Sequence, residues 1–278
     1  MKLSVIFINH NSRNGLRLAL NTLFKAKSTV DYEVIVVDNA SVDRSLEMLT
    51  FEFPKVRVMA NSSYQGHSLA YNKAIRAAKG DYVLLLSPYT LTNSGSLEKL
   101  SNFMDQHPLV GGVSLKMVDY QGDYLPESKR SLTKEWASFL RLAGMSSYFP
   151  RSISSIHRKN DWVEEFETSE VDTLHEDCML LRKSAVEKVG FFDERFRNYG
   201  HNIDLSYRLR REGFKTYYYS KTYIIQLPGK LVSKFSWDHI RHFYGAMFIF
   251  AAKYLFKLPV INLKDIGEIY PSSYEVAE

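Results

Sequence analysis

The chain has one cysteine, Cys178, among its 278 residues. A lone thiol excludes a disulfide framework and a cysteine metal cluster. No apolar run approaches the roughly 18 residues needed to cross a bilayer. The start, MKLSVIFI, resembles a signal peptide only superficially: Asn9, His10 and Asn11 stop the apolar run, and no small-residue cleavage site follows. A soluble, cytoplasmic protein is expected. An excess of either charge is also missing, since 36 Lys and Arg face 31 Asp and Glu, and the net +5 argues for no partner by itself. Without a stacking-plus-basic motif or a helix-turn-helix pattern, no nucleic-acid partner is expected. Internal repeats and low-complexity segments are absent. The 45% apolar and 14% aromatic content suffices for a sizeable core, in one large domain or two small ones.

The first third of the chain alternates. Residues 3–8, 32–37, 56–60 and 82–86 read as apolar strands. Residues 13–27, 44–51 and 67–79 read as helices, with Leu16, Leu20, Leu23 and Phe24 at helical spacing in the first and Gly80 ending the third. Near-continuous apolar strands between helices predict a parallel sheet covered on both faces. Such sheets bind ligands beyond the carboxyl ends of their strands. At those ends stand Asn9-His10-Asn11-Ser12, Asp38-Asn39-Ala40-Ser41, the stretch from Asn61 to Gly66, and Ser87-Pro88-Tyr89-Thr90. Any one of them suits an ordinary loop with a helix cap, Ser41 being a good cap for 44–51. Four on one sheet edge point to a site.

The second half is less regular. Residues 122–161 read as a loop-rich excursion with one short helix near 132–142. An acidic stretch follows from Asp161 to Asp177, with eight carboxylates and no Lys or Arg. Residues 178–181 read as a strand, with Cys178 in the core, and 203–211 as a helix. From Tyr207 to Lys257 ten Lys and Arg face two acids. The apolar stretch 243–252 lies among them, flanked by Arg241, Lys253 and Lys257. It reads as a core helix or as an interfacial membrane helix.

Several of these strings belong together. VIFINHNS (5–12), EVIVVDNASVDRS (33–45), Gly66 with Asn72, GDYVLLLSPYT (80–90), MLLRKSAVEKVGFFDE (179–194), YGHNIDLSYRLRREGFK (199–215) and HFYGAMFIF (242–250) occur in this order. Their order resembles the family 2 glycosyltransferases, nearest to the bacterial rhamnosyltransferase-like branch that builds cell-surface polysaccharide. The resemblance implies a GT-A α/β fold over 1–228, with a mostly parallel central sheet and helices on both faces. A C-terminal amphipathic helix and tail, 229–278, would pack on or beside it. It also implies sugar transfer, with inversion, from a nucleotide-diphosphate donor. Asp38 would accept a hydrogen bond from a pyrimidine ring, with Asn9, Asn11 and Ser41 around it, and Gly66 would admit the nucleotide backbone closely. Asp38 could equally cap or turn the chain. The family usually has Asn where this chain has Tyr64.

The chemical positions depart from the family pattern. Where relatives carry an aspartate that holds Mg²⁺ or Mn²⁺, this chain has Tyr89, and a phenol is a poor ligand for such ions at neutral pH. The catalytic-base aspartate of the motif Glu-Asp-x-Asp-Leu is Asn202, an amide that cannot take a proton. Asp204 remains, one helical turn before Arg208, where a structural pair is the expected role. Gln226 replaces a histidine, and His175-Glu176-Asp177 replaces a small Ser-Gly-Ala segment. The preferred expectation is a degenerate glycosyltransferase: a non-catalytic partner of an active one, or a binder of a nucleotide or glycan, with no metal. The alternative is an active enzyme with a rewired site, in which His201 acts as base and Glu176 and Asp177 hold Mg²⁺ or Mn²⁺. A third expectation is compatible with both: peripheral membrane contact at the inner face through Lys230, Lys234, Phe235, Trp237, Arg241, Phe243, Tyr244, Lys253 and Lys257.

Overall fold

In the computed structural model the described residues are 1–26, 28–129, 132–155, 165–229 and 237–256. Lys230, Lys234, Phe235, Lys257, Asp161, Glu164 and the tail beyond 256 lie outside them.

The amino-terminal half is built as its pattern predicts. Strands β1 (Leu3–Asn9), β2 (Tyr32–Asn39), β3 (Arg57–Asn61) and β4 (Tyr82–Leu86) run parallel in the order β3-β2-β1-β4. Side chains alternate across the sheet, so Val5, Phe7, Val34, Val36, Leu84 and Leu86 enter one core. Ile6, Ile8, Ile35, Val37, Val83 and Leu85 enter the other. The first core is covered by α1 (Arg13–Lys25), α2 (Ser45–Glu52) and α4 (Ser96–Gln106), the second by α3 (His67–Ala77). Each fully buried Leu, Ile or Val contributes about 1.5–3 kcal/mol, which is why both faces must be covered.

The sheet continues as β8, β6, β9 and β5, with β7 beside β9. β5 is Thr90–Thr92, β6 Val110–Val118, β7 Ser169–Glu170, β8 Cys178–Arg182 and β9 Lys215–Gln226. β8 runs antiparallel to both β4 and β6, and β6 is parallel to β9. Consequently β8 begins where β4 ends, with Leu86 opposite Cys178, so residues 175–177 join the loop after β4 on the carboxyl edge. β6 escapes a reading by pattern because it opens on Gly111-Gly112. A Cβ at Gly112 would collide with Leu174, so the missing side chain there is room for a core leucine. α4 and β5 are likewise additions to the elements read from the sequence.

A third core lies outside the sheet. α5 (Lys134–Leu142), α6 (Pro150–Ser155), α8 (His201–Arg211) and α9 (Trp237–Tyr254) meet around Trp136, Leu140, Phe149, Ile203, Tyr207 and Phe250. The other face of α8 joins α7 (Lys183–Val189) on the sheet through Leu205, Leu209, Ala185 and Val186. Stretch 243–252 therefore forms a core helix: Phe243, Ala246, Met247, Phe250 and Ala251 are buried. No helix among the described residues is long and apolar enough to cross a membrane.

Lys253, expected to face a membrane, instead turns inward. Its Nζ lies 2.7 Å from Asp204 Oδ1 and 2.8 Å from Asp193 Oδ2. Asp204 also pairs with Arg208 at 2.7 Å, the structural role its spacing suggested, and accepts from Tyr254 Oη at 2.7 Å. Burial alone would raise the carboxyl of Asp193, but hydrogen bonds from Arg195 and Lys253 hold it well below the usual range. Phe243, also expected at a membrane, is buried.

Candidate functional site

The carboxyl ends of β1 and β2 lie side by side, with Asn9 in register with Asp38. Asp38 is 1% exposed, and its two oxygens are held separately. Oδ1 accepts from Asn9 Nδ2 at 2.8 Å, and Oδ2 accepts from the backbone N–H of Ser41 at 2.9 Å. Ala40, at φ 61°, makes the left-handed turn that brings Ser41 back onto Asp38, and Asn11, at φ 51°, does the same after β1. Strained residues of this kind persist where the surroundings over-determine them, commonly at sites. The Ser41 hydroxyl accepts from Asn9 Nδ2 and from Asn11 N, both at 3.0 Å. It is thus spent on the β1 loop and does not cap α2. That service falls to Asp43, whose Oδ1 accepts from Ser45 N at 3.1 Å.

One buried acceptor here has no partner among the described residues: Asn9 Oδ1. Beside it lies a carboxylate with lone pairs to spare. Together they suit a ligand that brings N–H donors. His10 stands at the rim, its Nδ1 donating to Asn39 O at 2.8 Å and its ring 4.7 Å from that of Tyr64. Tyr64 Oη donates to Asn198 Oδ1 at 2.8 Å. Gly66 has φ +78°, and a Cβ there would sit 2.9 Å from Arg197 O. Only glycine meets both demands.

Tyr89 is turned onto the first turn of α1. Its hydroxyl donates to Ser12 Oγ at 3.1 Å, and its ring covers Gly15, where a Cβ would lie 3.0 Å from Cδ1 and Cε1. Gln226 Nε2 donates to Asp177 Oδ2 at 3.2 Å. His175 Nδ1 accepts from Asp177 N at 3.2 Å. Among the described residues no three His, Cys, Asp or Glu side chains gather to hold a metal ion. Where the resemblance puts a metal-holding aspartate stands a phenol turned onto α1, a poor ligand for Mg²⁺ or Mn²⁺, so this position does not fit the ion.

Asn202 is 5% exposed, and its Nδ2 donates to Leu174 O at 2.8 Å. It lines a 190 Å³ cavity with Glu176, Thr133, Trp136, Tyr199 and Phe243. Burial, and then the neighbouring Asp177, pushes the Glu176 carboxyl up to about 8. His201 does not join them. It is 1% exposed, packed by Tyr71, Phe192 and His67, and neither ring nitrogen has a hydrogen bond among the described residues. Burial, and then His67, pulls its pKa down to about 3, so it stays neutral and out of reach of a substrate proton. The aromatic walls of the cavity are not legible as a set, because Trp136, Tyr199 and Phe243 come from three segments far apart in the chain.

Comparison with known proteins gives the frame. Residues 4–190 match the model of the family described as Glycosyl transferase family 2. An N-acetylglucosaminyl-diphospho-decaprenol L-rhamnosyltransferase of Mycobacterium tuberculosis is 24% identical over 234 residues, covering 79% of this chain and 74% of that protein. The crystal structure of Staphylococcus aureus TarS 1-349 in complex with UDP superposes with a TM-score of 0.63 at 20% identity, covering 91% of this chain and 65% of that one. A mannosyltransferase of Pyrobaculum calidifontis in complex with GDP-Man and Mn²⁺ gives a TM-score of 0.62 at 16% identity, covering 91% and 64%. At these identities the solved structures establish the α/β sheet architecture of such transferases for this chain.

Proposed function

This chain belongs to glycosyl transferase family 2, and from that premise we propose that it serves glycan synthesis as a nucleotide-binding member that does not itself transfer sugar. Its task is to bind a nucleotide or nucleotide sugar, alone or beside an active transferase. The observation that carries this reading is Asn202. At the place where the resemblance puts the proton acceptor stands a buried amide whose N–H is committed to Leu174 O. Transfer needs a group to take the acceptor's proton and charge to meet the leaving diphosphate. Tyr89 on Gly15 and Gln226 on Asp177 supply neither. The nucleotide half is supported by Asp38, held ready by Asn9 and Ser41, and by the orphan Asn9 Oδ1. Glycan synthesis is supported by the named activities of the relatives.

Calorimetric titration with UDP and dTDP, with and without Mn²⁺, tests the reading. Binding that is indifferent to Mn²⁺, without release of UDP from UDP-sugars in the presence of acceptors, is the expected result. Binding strengthened by Mn²⁺, or turnover, overturns it.

A second reading rests on Glu176, which faces the same cavity as Asn202. As a carboxylate it would take the acceptor hydroxyl's proton while that oxygen attacks the anomeric carbon and the nucleoside diphosphate leaves. Transfer that is abolished by Glu176→Gln and rises with pH toward 8 would favour this reading.

A further inference from the structure

We propose that the outer face of α9 seats the protein on an anionic phospholipid surface. α9 carries two apolar faces, and the third core accounts for only one of them. The other holds Trp237, Arg241, Tyr244 and Phe248, spaced four, three and four residues apart, which places them on one side of a helix. All four are exposed, Trp237 by 84% and Phe248 by 70%, and Leu255 and Phe256 are exposed where the helix ends. A row of large exposed apolar side chains marks an interaction surface. Trp and Tyr in particular suit the boundary between water and lipid, with an apolar ring and a polar tip.

Charge decides the kind of partner. Beside the row is a 240 Å³ pocket lined by Arg195, Arg197, Arg241, His242, Gly245 and Ile249, among others. Arg195 is neutralised by Asp193 at 2.6 Å. Arg197 and Arg241 form no ion pair among the described residues, and Arg197 makes only a 3.5 Å hydrogen bond to Tyr64 O. Two guanidinium groups without a carboxylate, next to exposed rings, match a phosphate under a hydrocarbon layer. An apolar protein partner would account for the rings but not for the arginines. The contact lies on the surface of the bilayer, since α9 buries its other face in the fold. It is independent of whether the nucleotide site is filled.

Co-sedimentation of the full chain, without nucleotide, with vesicles of phosphatidylcholine alone or with phosphatidylglycerol tests the proposal. Binding to the anionic vesicles is expected to exceed that to neutral ones by about tenfold and to fall as NaCl is raised. The pair Trp237→Ala and Phe248→Ala should weaken it by about tenfold, through lost apolar burial. Arg241→Glu should remove the preference for the anionic lipid. These side chains are exposed, so an unchanged melting temperature separates lost binding from lost fold. Phe51→Ala, on the exposed side of α2, should leave binding unchanged. Equal binding to neutral vesicles, or none to either, overturns the proposal. So does displacement by inorganic phosphate at the concentration of the lipid phosphate, which would make the pocket a site for the free ion. A dimer in sedimentation velocity that Trp237→Ala and Phe248→Ala dissolve, with vesicle binding absent, would assign the face to a second copy of the chain instead.

Discussion

The ammonium of Lys253 lies 2.7 Å from Asp204, a carboxylate with no exposure, and so fastens the last turn of α9 to the first turn of α8. Asp193, Arg195, Arg208 and Tyr254 complete the network. Removing one partner of a buried ionic network leaves charge uncompensated and costs on the order of 3 kcal/mol. Lys253→Met is therefore expected to lower the melting temperature by roughly 5–10 °C. Thermal denaturation followed by circular dichroism checks this, and an unchanged melting temperature would mean that α9 is held by its apolar face alone.

Gly66 makes a second prediction. Gly66→Ala must adopt a left-handed conformation and place a methyl group 2.9 Å from Arg197 O. Strain of this kind costs about 1–3 kcal/mol. Relief requires the 64–68 segment to move away from residue 197, which disturbs the ring contact between His10 and Tyr64. UDP affinity measured by calorimetry should drop at least about tenfold, while the secondary structure is retained.

A half-buried carboxyl and a buried imidazole set opposite pH limits. In the folded chain Glu176 holds its proton up to about 8, against an ordinary 4.5, so its contribution to stability is full below 4.5 and is lost as pH rises toward 8. His201 stays neutral down to about 3, against an ordinary 6.5, so its contribution is full above 6.5 and is lost as pH falls toward 3. Each limb has a slope of at most about 1.4 kcal/mol per pH unit. Between 4.5 and 6.5 the two cancel, and stability from this pair is flat. Urea denaturation across pH should show Glu176→Gln flattening the alkaline limb and His201→Leu flattening the acid one.

The amide at Asn202 is bound into the fold, which yields a fourth prediction. Asn202→Asp sets a carboxylate against Leu174 O at the position where an N–H now donates over 2.8 Å. Two buried acceptors facing each other cost about 1–3 kcal/mol. Acidification below about pH 5 should return part of that loss, because the protonated acid can donate to Leu174 O. Equal stability of the two proteins at neutral pH would show that the pocket accepts an acid without rearrangement.

The amino acid order by itself determined the parallel half-sheet. Near-continuous Val, Ile and Leu strands separated by helices between residues 3 and 86 call for a parallel sheet covered on both faces, and that places Asn9, Asp38, Asn61 and Ser87 on a common edge. Tyr89, Asn202 and Gln226, where the resemblance leads one to expect an aspartate, an aspartate and a histidine, were equally readable, because a motif is a local string. Tertiary structure alone decided what those side chains do. Tyr89 turns to α1 because Gly15 leaves room for its ring, and His201 lies in the core because Tyr71 and Phe192 close over it. Glu176 favours its proton because the cavity walls bury it beside Asp177, and Lys253 faces inward because Asp204 and Asp193 await it across 49 and 60 residues of chain. β6 hid behind Gly111-Gly112 for the same reason. Apart from Asp177 beside Glu176, the partners of these side chains are distant in sequence, and no periodicity or spacing along the chain carries information about them.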